Sequence, residues 1–146
     1  MSYPLLLILH LLAAIAFVGT VFFEVFLLGG IHGKVSEPSL VKVENALGIR
    51  ARGIMPWVLL VLYGAGIGLA WHYRGALAEP LTSSFAALLS LKILLAVSVF
   101  GHFVTAMLLQ RRGLLSGERS RKLHISIFCH VVLIVVLAKG MFFIRW

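Results

Sequence analysis

A chain of 146 residues in which 61% are hydrophobic and only 12% are charged has too little polar sequence to cover a soluble domain. A mean hydropathy of +1.06 points the same way. The formal net charge of +8 comes mostly from Lys and Arg in segments between apolar stretches, so the basicity reads as membrane topology and not as a nucleic-acid patch. Nucleic acid is therefore not an expected partner.

The first apolar stretch, Leu5 to Leu28, is near the length of about 20 residues needed to cross a bilayer. It has no basic leader, it is long for a secretion signal, and Glu24 stands where a cleavage site would be sought, so it is expected to be retained. His10 lies about two turns below its outer edge. Glu24, fourteen residues further on, falls on the same face, where pairing with His124 or an inner-loop arginine is expected and a proton-relay role is the alternative. The segment from Gly29 to Gly53 has room for a short amphipathic helix, with Leu40, Val43 and Leu47 at helical spacing, Ser36 as its cap and Pro38 in its first turn. Such a helix is expected to lie on the inner membrane surface.

The second span, Ile54 to Trp71, contains GAGIG and ends at His72. Gly64 and Gly68 share one helix face, which suits either close helix packing or room for a flat cofactor. A turn from Tyr73 to Ser84, with Pro80, leads to the third span, Phe85 to Leu109. This span holds Lys92 and His102, which hydrocarbon cannot solvate and which must therefore face the protein interior. A short inner loop, Arg111 to Lys122, precedes the fourth span, Ile125 to Ile144, which carries His130, Lys139 and the lone Cys129, a small apolar filler. The expected fold is all-α, an integral membrane four-helix bundle forming one transmembrane domain over residues 1–146. Spans three and four should be antiparallel neighbours, and no convincing repeat or low-complexity tract is expected.

Lys34, Lys42, Arg50, Arg52, Arg111, Arg112, Arg119, Arg121 and Lys122 fall in the two loops assigned to one side, nine cations against Arg74 alone in the loop on the other; Arg145 also falls on that other side, beyond the fourth span. This asymmetry places the basic loops in the cytoplasm and both termini in the periplasm, with the lipid bilayer as the first partner. Small residues in the second span make a homodimer a further expectation.

Depth, at about 1.5 Å per residue, pairs His102 with His130 in the inner half and His10 with His72 in the outer half. Neutral imidazole is an axial ligand for haem iron, and helix bundles build such sites from facing helices. Phe100, Phe103, Phe128 and Val131 would wall the inner pair, while Lys92 and Lys139 would meet propionates or an anionic substrate. The plainer alternative is a histidine hydrogen-bonded to backbone or hydroxyl, with Ser98, Thr105 and Ser126 all one turn away. His124 and His32 are expected to be solvated.

The stretches LHLLAAIAFVGTVFFEVFL, RARGIMPWVLLVLYGAGIGLAW, LKILLAVSVFGH and VVLIVVLAKGMFF resemble the four helices of the CopD and HemJ group of small bacterial inner-membrane proteins. The HemJ branch implies haem b and porphyrinogen oxidation; the CopD branch implies copper handling. By position the resemblance matches His10 and His102 to the group's histidines and Lys92 and Lys139 to its lysines, whereas Glu24 and Phe17 depart from the HemJ pattern. The expected function is thus a haem-b redox protein, in electron transfer or porphyrinogen oxidation, with a quinone or porphyrin as substrate. Copper transport or resistance is the alternative, with Met55, Met107, Met141 and Cys129 as soft donors. A non-redox membrane scaffold is the third reading.

Overall fold

The computed structural model describes residues 2–114 and 117–144. Arg145, an outer cation of the charge pattern, lies outside the described residues. Among these the chain is all-α: α1 (Tyr3–Phe22), a π-helical turn (Phe23–Leu28), α2 (Glu37–His72), α3 (Arg74–Ala78), α4 (Ser84–Arg111) and α5 (Gly117–Phe143). Four of these segments, with the π-helical turn counted as an extension of α1, are long and apolar enough to cross a membrane. The chain divides into two compact units, Met1–His72 and Tyr73–Trp146, each built around one antiparallel helix pair.

In the first unit, α1 starts with Pro4 in its first turn, where a missing N–H costs nothing. Leu6, Ala13, Phe17 and Val21 form its buried stripe, at spacings that keep one face towards α2. The expected surface helix does not exist as a separate element. It is continuous with the second span in a 36-residue α2 that passes through Pro56. At about 1.5 Å per residue this helix rises roughly 54 Å, longer than a hydrocarbon core of about 30 Å. Of the apolar residues at helical spacing in its first half, Leu40 is buried and Val43 exposed. Ser36 stands immediately before the helix, where its carbonyl accepts from the amides of Ser39 and Leu40 while its hydroxyl engages that of Ser39.

In the second unit, the Ser83 hydroxyl accepts from the Ala86 amide at 3.2 Å and caps α4. At the other end Gly113 takes φ +67°, a left-handed conformation that favours glycine. Its amide bonds the Gln110 carbonyl and that of Leu114 bonds Leu109, a Schellman closure. Helix α5 begins at Gly117, well before the apolar run starts, so the second basic segment is largely helical. Phe85 meets Tyr73 and Phe142 at ring separations of 5.4 and 5.7 Å and ties the loop-proximal ends of α4 and α5 together.

Large apolar side chains are exposed on all four long helices: Ile15, Trp57, Ile67, Leu94 and Val136 are each at least 60% exposed. At about 25 cal/mol per Å² such surface would be heavily penalised in water. These helices are faces for a lipid bilayer.

Candidate functional site

The second unit brings two histidines together. His102 on α4 and His130 on α5 have ring centroids 5.2 Å apart, with an interplanar angle of 53°. Each imidazole Nδ1 lies 2.8 Å from the carbonyl four residues earlier on its own helix, that of Ser98 for His102 and that of Ser126 for His130. A carbonyl only accepts, so Nδ1 carries the hydrogen, and Nε2 of a neutral ring bears the lone pair. Those lone pairs accept from the facing helix: the Ser126 hydroxyl lies 3.0 Å from His102 Nε2, and the Ser98 hydroxyl 3.2 Å from His130 Nε2. Each serine thus serves one histidine through its carbonyl and the other through its hydroxyl.

The crossing has a cause in the sequence. VSVFGHFV, residues 97–104, and ISIFCHVV, residues 125–132, are the same motif at a spacing of 28 residues. The expectation of no repeat is corrected here. Two antiparallel helices are related by a local two-fold axis, and equal motifs placed across it acquire equal surroundings. Val99 and Ile127, equivalent in the motif, are accordingly both buried. The signal was readable as Ser-x-Phe-x-His occurring twice, but its significance depends on the helices being antiparallel and in register. The expected apolar wall is partial: Val131 is buried, but Phe100 is 46% exposed. Cys129, expected as a buried filler, is exposed on α5.

In the first unit His10 reaches across to α2, with Nδ1 2.9 Å from the Leu62 carbonyl. Gly66 permits the approach, since a Cβ there would lie 3.1 Å from Cε1 of the ring. Gly68 receives Leu6 in the same way, whereas a Cβ on Gly64 would meet nothing within 4 Å. The glycines of GAGIG therefore serve close helix packing, and the contact pair is Gly66 with Gly68 instead of Gly64 with Gly68. His72 bonds the Gly68 carbonyl at 2.8 Å and sets its ring against Tyr3 at 5.4 Å. Tyr3 precedes His10 by seven residues, about 10 Å of helix, so His10 and His72 differ in depth by roughly two turns and are not level as expected.

Among the other groups, His32 pairs with Glu44 at 3.1 Å and His124 lies 3.4 Å from the Ser120 hydroxyl. Glu24, in the π-helical turn, lines a groove of about 420 Å³ that also contains Arg50. Lys92 is half-buried and Lys139 exposed. The register set by the crossed serines places Lys139 opposite Leu89, about one turn from the level of Lys92 and roughly 15 Å from the histidine pair. Among the described residues no three His, Cys, Asp or Glu side chains converge on one point. No family model, no curated protein and no solved structure matches the chain.

Proposed function

We propose that the chain is a multi-pass membrane protein whose His102 and His130 ligate a redox metal, with the iron of haem b as the leading candidate. The observation that carries this reading is the state of the ring nitrogens. His10, His72, His102 and His130 all direct Nδ1 to a backbone carbonyl, the arrangement that orients Nε2 of metal-bound histidines. A donor set of two imidazoles without a third donor suits haem, since the porphyrin supplies the remaining ligands. His102 and His130 would hold the iron, and the haem would supply one-electron chemistry for electron transfer or porphyrinogen oxidation. Lys92 and Lys139, on the outer side of the pair, would bind propionate or an anionic porphyrin; a quinone is the alternative partner. The resemblance to the CopD and HemJ group supports the same class and keeps His10 as a further ligand.

Copper is the second reading, favoured by one feature. The rings stand only 5.2 Å apart and serines bridge the helices on either side of them, so an ion needs less rearrangement of α4 and α5 to enter than a porphyrin does. The charge asymmetry supports a bacterial inner-membrane orientation with both termini periplasmic. GAGIG would contribute to any homodimer only through Gly64, because Gly66 and Gly68 are engaged by α1.

Protein purified from haem-replete cells is expected to show a Soret band, low-spin if both axial positions are histidine. A folded, colourless preparation would remove the haem reading, and copper in the metal analysis would then establish the second.

A further inference from the structure

Ser98 and Ser126 are bound to the histidine pair too specifically to be filler. Within a membrane helix a serine hydroxyl has a ready acceptor in its own helix, the carbonyl one turn back. Thr20 and Thr105 both take that option, at 2.9 and 2.8 Å. Ser98 and Ser126 instead send their hydroxyls across to the opposite helix. Because each histidine is held at Nδ1 by a carbonyl that cannot take a proton, the ring cannot exchange tautomers, and Nε2 remains its acceptor. Among the described residues the group hydrogen-bonded to that lone pair is a hydroxyl, which can rotate away without moving the backbone.

We infer that Ser98 and Ser126 are the positioning residues of the site, each orienting its own helix's histidine through the carbonyl and occupying the facing histidine's Nε2 through the hydroxyl, so that a metal reaches either nitrogen only by displacing a serine. The inference rests on the reading of His102 and His130 as ligands. It adds what sets their orientation and what competes for them.

The crossed geometry makes a distinctive test with ¹⁵N-histidine NMR of the full chain prepared without haem or metal. Both rings should carry hydrogen on Nδ1. Ser98→Ala should shift the Nε2 resonance of His130 and spare His102; Ser126→Ala should do the reverse; Ser98→Thr and Ser126→Thr, which keep the hydroxyl, should restore the original pattern. A serine variant that moves the histidine of its own helix, or neither histidine, overturns the assignment. Titration with hemin, and separately with Cu(I), reads the competition. A hydrogen bond between membrane helices is worth about threefold in an equilibrium, so the double alanine variant should bind roughly tenfold more tightly. Equal or weaker binding overturns the displacement. If the crossed shifts hold while neither probe binds the wild-type chain, the ligand reading fails and the serine positions stand.

Discussion

His102 and Lys92 occupy the same helix and are predicted to behave differently when replaced. His102→Ala removes an imidazole whose Nε2 accepts from Ser126 at 3.0 Å. The freed hydroxyl can turn back to its own helix, so the structural cost should stay under about 1 kcal/mol. Loss of the Soret band in a variant that still melts near the wild-type temperature is the expected outcome. An unaltered low-spin spectrum would move the site to His10. Lys92→Met, by contrast, changes a side chain about 15 Å from the histidine level. It should leave the spectrum in place and shift the reduction potential or impair turnover, as potentiometry and steady-state assays will read. The imidazoles and amines could be picked out from the sequence because ionisable groups are rare in apolar helices. The two serines carry no such signal, because a hydroxyl in a membrane helix usually satisfies itself locally.

Helix packing in the first unit turns on glycines that look alike in sequence. Gly66→Ala would put a methyl group 3.1 Å from the His10 ring, whose Nδ1 is already tied to Leu62. The ring must yield, and the cost is expected to be about 1–3 kcal/mol, read as a lower melting temperature. Gly64→Ala should be neutral or slightly stabilising, since nothing lies within 4 Å of the added carbon and alanine is the better helix former. Equal effects of the two substitutions would contradict this packing. Hydropathy located the element but could not assign its faces, because three glycines within five residues differ only in which side of the helix they occupy. The same limit explains α2. A polar, amphipathic first half and an apolar second half read as two elements, but no helix-terminating feature separates them, and Pro56 is accommodated within the helix.

For the whole molecule the testable quantity is orientation. Reporters inserted at Gly113 should be active only in the cytoplasm and those at Pro80 only in the periplasm, since nine cations flank the former side's loops against Arg74 in the latter's. Cytoplasmic activity at Pro80 would reverse the proposed topology.

The amino-acid order was enough to establish an all-α chain with four helices able to cross a membrane, because length and hydropathy are summed over some twenty residues and survive local errors. It also placed ionisable side chains inside apolar helices. The tertiary structure alone decided how they meet. The relative depth of His10 and His72, the choice of Gly66 over Gly64, and the crossing of Ser98 and Ser126 to opposite histidines all depend on helix register and rotation. A displacement of one residue rotates a helix face by about 100°, and only packing against a partner selects among those rotations.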